Sequence, residues 1–154
     1  MLGSVSPPLF RRSPPIFTAH LEVFAEHPSL QQRVRFVLES LPQQVQQDFL
    51  DDPRFSLAVD NYMPGVGWKL MVPSPGPGDD VTRCVVLRTN LGDCAEAFAF
   101  WVIAHEFAHA YLRNGGWGTI TDVEEAADAL AAHWGYSRPR GLSRNAMFPR
   151  KSNG

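Results

Sequence analysis

The sequence of 154 residues predicts a single α+β domain, and two changes of periodicity support this prediction. Apolar residues recur at helical spacing over residues 29–40, alternate at the spacing of a strand from residue 54, and return to helical spacing from residue 93. The length matches one domain, and a hydrophobic fraction of 44% is enough to form a buried core. We expect the folded part to span residues 16–137.

The two ends of the chain differ in composition from this folded part. Residues 1–15 contain four prolines and three serines, which predicts a flexible leader. Residues 138–154 carry five basic side chains and no acidic one, which predicts a flexible basic tail. The net charge of −2 argues against nucleic acid as a partner. The longest apolar run, residues 97–104, is too short for a membrane span of about 18 residues.

The first predicted elements are an N-terminal helix and a small sheet. The helix over residues 29–40 ends before Pro42, and one or two helical turns follow near residues 45–50. Strands are predicted over the three segments with period-two alternation or β-branched residues, 54–60, 68–72 and 82–87. The turn-forming sequence PSPGPGDD at residues 73–80 separates the last two strands. Three consecutive strands predict a three-stranded, mainly antiparallel sheet.

Two more helices are predicted after the sheet. The first begins near Asp93, which can form a capping box with Glu96, and ends at residues 114–116, which read NGG. The second runs from about Asp122 to residue 134 and ends at Gly135, with residue 121 or 122 as its cap. Cys84 and Cys94 are too few for a disulfide framework, so we expect reduced thiols in a cytoplasmic protein.

The first of these two helices carries polar residues although its surroundings are apolar. Residues 97–112 read AFAFWVIAHEFAHAYL, which predicts a buried helix. Burying His105, Glu106 and His109 without partners would cost about 1–3 kcal/mol for each group. Hydrogen bonds from the two histidines to neighbouring backbone are one way to offset this cost. A bound zinc ion (Zn²⁺) is the other, and the spacing favours it.

His105 and His109 are four residues apart, so both imidazoles lie on one helix face and can bind one ion at about 2.0–2.1 Å. Glu106 is rotated by about 100° from His105, so it lies beside the ion without binding it. From that position its carboxylate can accept a proton from a zinc-bound water. This is the His-Glu-x-x-His pattern of metallopeptidases, and it predicts Glu106 as the general base.

A catalytic zinc ion needs a third protein ligand, and we choose Glu124 on the second helix. Asp128 is four residues further on the same face, so it can accept the N–H of a ligand imidazole and orient that ring. Glu125 can instead close a capping box with Asp122, although capping by Thr121 and Glu124 would free Glu125 to bind the metal. Three side chains therefore remain alternatives as third ligand: Glu125, Asp128 and His133.

The segment HEFAH, followed by EEAADALAA, resembles the gluzincin metallopeptidases over about residues 80–135. In that family two histidines and a glutamate from a later helix hold zinc, and residues 124–128 match the family's E-x-x-A-D segment. The small size resembles the minimal gluzincins and the ImmA/IrrE-type peptidase domains. The resemblance implies a zincin-like fold, with the sheet before an active-site helix and a ligand-bearing helix. It also implies that an edge strand, here residues 82–88, pairs with an extended peptide.

These observations predict a zinc metalloendopeptidase that acts on a protein or peptide substrate, with no membrane partner. Four side chains are candidates for stabilising the oxyanion, and the sequence does not choose among them: Tyr62, Tyr111, His133 and Tyr136. Two other functions stay open. The first is a catalytically silent, zinc-stabilised binding or regulatory module. The second is a metal-free interaction domain in which the buried polar residues satisfy one another.

Overall fold

The computed structural model describes residues 16–60 and 83–140. The predicted strand over residues 68–72, the leader over residues 1–15 and most of the basic tail lie outside these residues, as does Tyr62. The described part contains the following elements in chain order: α1 (Thr18–Leu21), a 3₁₀ turn (Glu22–Phe24), α2 (Pro28–Ser40), α3 (Gln43–Asp51), β1 (Phe55–Asp60), β2 (Arg83–Arg88), a second 3₁₀ turn (Thr89–Gly92), α4 (Glu96–Tyr111) and α5 (Val123–His133). None of these helices is long and apolar enough to span a membrane.

The helix predicted over residues 29–40 is confirmed as α2. Pro28 occupies its first turn, where a missing backbone N–H costs nothing. Its buried face consists of four residues at helical spacing: Leu30, Val34, Val37 and Leu38. The short helical segment predicted near residues 45–50 is confirmed as α3, which buries Val45 and Phe49 in the same core.

The predicted three-stranded, mainly antiparallel sheet is wrong. The described residues form a two-stranded parallel sheet, in which Phe55 pairs with Arg83 and Asp60 pairs with Arg88. Alternation of apolar residues identifies a strand but carries no information about its direction, which depends on the connection. Residues 61–82 are longer than the dozen or so residues that a crossover between parallel strands needs. The resemblance to gluzincins implied a zincin-like sheet, and the two-stranded parallel sheet overturns that expectation as well.

Both ends of α4 also differ from the prediction. The helix begins at Glu96 with Ala95 as a cap that has no side-chain hydrogen bond, so the predicted Asp93 capping box is wrong. The backbone N–H of Asp93 instead bonds to Asn90 O, which makes Asp93 the end of the preceding 3₁₀ turn. At the other end, Arg113 and Asn114 rather than a glycine take positive φ angles of 53° and 56°.

A buried arginine joins the sheet to two helices. Arg83 is 2% exposed, and its guanidinium forms ion pairs with Asp48 of α3 at 2.5 Å and with Asp52 at 2.8 Å. Its Nε donates to Ala110 O of α4 at 2.9 Å, and its Cζ lies 5.6 Å from the centre of the Phe49 ring. Hydrogen bonds from Arg54 and from Arg83 hold the pKa of Asp52 well below its ordinary value, although burial opposes this.

We expect Arg83→Met to destabilise the fold strongly, because it removes the buried guanidinium that pairs with Asp48 and Asp52 and bonds to Ala110 O. Breaking a buried ion pair on one side costs about 3–5 kcal/mol. The matched control is Arg88→Met on the same strand, since Arg88 is 61% exposed and lies 3.9 Å from Asp60. That change should cost at most about 1 kcal/mol. Urea unfolding at neutral pH measures both values, and equal losses for the two variants would contradict the proposed role of Arg83.

Candidate metal centre

Two histidines of α4 face the same point. His105 and His109 are one helical turn apart, their ring centres are 4.7 Å apart, and their Nε2 atoms are 3.1 Å apart. Their side chains are only 12% and 13% exposed, because the residues around them pack into the core. The spacing in the sequence therefore brings two imidazole nitrogens together, as expected for residues i and i+4 of a helix.

The next helix packs closely against α4 through small side chains. Ala126, Ala127 and Ala131 of α5 are fully buried, which allows the two helices to approach each other. The loop between the helices turns tightly, with Trp117 and Ile120 exchanging two backbone hydrogen bonds at 2.9 Å. Gly116 is required there, since a Cβ atom at this position would lie 2.4 Å from Ile120 O. This turn sets the first turn of α5 beside the histidines.

Glu124, in the first turn of α5, completes a group of three ligand atoms. Its Oε1 lies 3.1 Å from His105 Nε2 and 3.3 Å from His109 Nε2. These three side chains form a group that could hold a metal ion. Two ligand atoms at 2.0–2.1 Å from a tetrahedral zinc ion lie about 3.3–3.4 Å apart. The observed separations are close to this value, so the residues fit a zinc ion.

The hydrogen bond of Asp128 also favours a cation at this point. Asp128 Oδ1 lies 2.9 Å from His105 Nδ1, so a neutral His105 ring carries its proton on Nδ1 and has a lone pair on Nε2. That lone pair faces the Glu124 carboxylate, and two acceptors at 3.1 Å repel each other unless a proton or a cation lies between them. His109 Nδ1 is buried and has no hydrogen-bond partner among the described residues.

Glu106 is next to the group but is not part of it. Burial raises the pKa of its carboxyl group, and the charge of Glu124 acts in the same direction. The charges of His109 and His105 oppose this effect without cancelling it. Burial also tends to raise the pKa of Glu124, but the two histidines outweigh it and the net shift is downward. The pKa values of the two glutamates are therefore shifted in opposite directions.

The alternative third ligands lie elsewhere or have other partners. Glu125 donates its backbone N–H to the Asp122 carboxylate at 2.9 Å, so Asp122 rather than Thr121 caps α5. Asp128 contacts the far nitrogen of His105 and does not belong to the group of three ligand atoms. His133 lies at the other end of α5, with its ring centre 5.5 Å from that of Trp117.

The described candidates for oxyanion stabilisation have structural contacts. The Tyr136 hydroxyl lies 2.5 Å from Ser40 Oγ of α2. The Tyr111 ring packs edge-on against Phe49 and Trp134 in the core. These contacts favour structural roles for both tyrosines.

The sequence predicted a buried helix that contains Trp101 and a flexible tail that begins at Arg138, and it did not indicate the contact between these two side chains. The centre of the Trp101 ring lies 5.6 Å from that of His105, and the guanidinium of Arg138 lies over the same indole, 5.1 Å from the ring centre. Trp101 is four residues before His105, so helical spacing could have placed it beside the site. No local signal in the sequence indicates the position of Arg138.

Comparisons of the chain with protein-family models, with curated proteins and with solved structures found no match. The arrangement of the described side chains and the spacing of the motif therefore carry the functional argument.

We expect the purified protein to contain about one zinc ion per chain, and Glu124→Ala to release it, because the change deletes a ligand oxygen. The affinity loss should exceed the 10–100-fold that is typical of changes outside the ligands. Glu125→Ala is the matched control. Glu125 is the next residue of the same helix and is exposed, so its removal should leave the zinc content unchanged. Elemental analysis and competition with a chelator measure both. Release of zinc by the Glu125 variant alone would contradict the assignment.

Asp128→Asn should weaken zinc binding by about 10–100-fold, because an amide orients the His105 ring less strongly than a carboxylate does. Asp122→Asn removes the same charge from the same helix but keeps a side chain that caps well, so it should leave the zinc affinity nearly unchanged. Equal weakening in the two variants would show that charge alone, and not the hydrogen bond to His105, matters.

Proposed function

We propose that the protein is a zinc-dependent metallopeptidase of the gluzincin type. The observation that carries this proposal is the convergence of His105, His109 and Glu124 on one point, with Glu106 adjacent on the same helix. Two histidines and one glutamate are a ligand set of catalytic zinc sites, which use three protein ligands and keep one position open.

The roles of the side chains follow from their positions. His105, His109 and Glu124 would hold the metal, and Asp128 keeps the His105 ring in the tautomer and orientation that binding requires. Bound there, zinc would supply a Lewis acid that acidifies water and polarises a carbonyl group. Glu124 is 71% exposed, so the site opens to the surface and is accessible to an extended chain.

Glu106 is the proposed general base. Its burial makes the carboxylate more basic than that of an exposed glutamate, so it takes a proton from the attacking water more readily. The same burial stabilises the protonated form, which can then donate the proton to the departing amine of the cleaved peptide bond. One side chain thus serves as base in the first step and as acid in the second.

The substrate is proposed to be a peptide or an exposed segment of a protein. We propose a cytoplasmic location on the basis of Cys84 and Cys94, which are both buried and free. The alternative function is a silent zinc-stabilised module, in which the same residues hold the metal for structural reasons and Glu106 has no proton to transfer.

The Glu106→Gln variant separates the two functions, because it keeps the shape of the side chain and removes its basicity. Zinc content and melting temperature should stay close to wild type. Cleavage of peptides from a library by the zinc-loaded protein should fall by at least about 10²–10⁴-fold. Glu125→Gln serves as the matched control and should retain activity, since it alters an exposed glutamate on the neighbouring helix.

Cleavage at the wild-type rate by the Glu106→Gln protein would refute the mechanism even with zinc bound. If neither protein cleaves any peptide but both bind the same partner equally, the silent module is the correct function.

A further inference from the structure

The segment that follows α5 returns across the N-terminal half of α4. Gly135 takes a φ of 103°, a conformation that favours glycine, and reverses the chain at the end of α5. The Tyr136 ring then lies 6.3 Å from the ring of Phe100, and its hydroxyl lies 2.5 Å from Ser40 Oγ. The backbone is therefore held against both α2 and α4 two residues before Arg138.

Arg138 borders the candidate metal centre through a shared ring. Its Cζ lies 5.1 Å from the centre of the Trp101 ring, which is a cation–π arrangement. The Trp101 ring centre lies 5.6 Å from that of His105. The guanidinium and the proposed ligand imidazole thus contact the same indole, so the positive charge is kept within reach of a peptide bound at the site.

Arg138 is exposed, and its guanidinium has no carboxylate partner among the residues that the structure describes. By contrast, Arg54 and Arg83 are both paired with Asp52. Packing over an aromatic face leaves the N–H groups at the edge of the guanidinium able to donate hydrogen bonds.

The charges around the site are unevenly distributed. Glu124 and Asp128 lie on the α5 side, where they would repel an anionic group of a ligand. Arg138 lies against the Trp101 ring, where the same group would be attracted. A carboxylate is the chemical group that a guanidinium binds best, through two parallel hydrogen bonds.

Resting on the proposed peptidase function, we infer that Arg138 is a specificity-determining residue that binds a carboxylate of the peptide substrate. That carboxylate belongs either to an aspartate or glutamate side chain near the scissile bond or to the C-terminus of the peptide. Trp101 holds the guanidinium in place, and Tyr136 anchors the segment that carries it.

The test is a binding experiment with the zinc-loaded Glu106→Gln protein, which holds peptides without cleaving them. Randomised peptides with free or amidated C-termini are selected for binding, and each selected peptide is compared with the version in which its acidic group is an amide. Hydrogen bonds to a charged group contribute about 1.5–3 kcal/mol, so the amide should bind about 10–100-fold more weakly. Adding Arg138→Gln should abolish this difference, and Arg138→Lys should restore part of it.

Arg140→Gln is the matched control, since it removes an exposed arginine two residues further along and should keep the preference for the carboxylate. An undiminished preference in the Arg138→Gln protein would overturn the inference, as would selected peptides without a common carboxylate or no bound peptide at all. Arg138-dependent binding without cleavage by the wild type would contradict the peptidase function and support this inference. Cleavage without a preference for the carboxylate would support the peptidase function and contradict this inference.

Discussion

The pairing of the Arg83 guanidinium in the core is the constraint on which the arrangement of the other elements depends. A buried positive charge is tolerated only with close anionic partners, and Asp48 and Asp52 provide them from α3 and from the residue that follows it. The same side chain bonds to Ala110 O, and Ala110 directly follows His109. One ion cluster therefore fixes the sheet, α3 and the ligand-bearing turn of α4 relative to one another.

Small residues in turn fix the position of α5 against α4. The buried alanines of α5 allow its backbone to come close to α4, so that a side chain of glutamate length reaches both histidines. Larger residues at Ala127 or Ala131 would separate the helices and withdraw Glu124 from the imidazoles. The group of three ligand side chains thus depends on the apolar packing between α4 and α5, because this packing sets the distance from Glu124 to the two histidines.

Features governed by local geometry could be predicted from the sequence, and features governed by distant contacts could not. The shared face of His105 and His109 follows from helical spacing, and the sequence narrowed the cap of α5 to Thr121 or Asp122, of which the structure has Asp122. The direction of the strands depends on how residues 61–82 connect them, and alternation does not report it. The positions of Arg83 and Arg138 depend on partners far away in the sequence, so no pattern near either residue indicated them.

The short separation between the ligand residues has a consequence for the order of folding. His105 and Glu124 are 19 residues apart, and one tight turn at Gly116 joins the helices that carry them. Loop-closure entropy depends only weakly on loop length, so the advantage of the helix pair is that its contacts are local and need no pairing of β1 with β2. The two helices can therefore associate and capture a metal ion while the parallel strands are still apart. The bound metal ion would then hold α4 and α5 together before β1 pairs with β2, so metal binding would precede the completion of the fold.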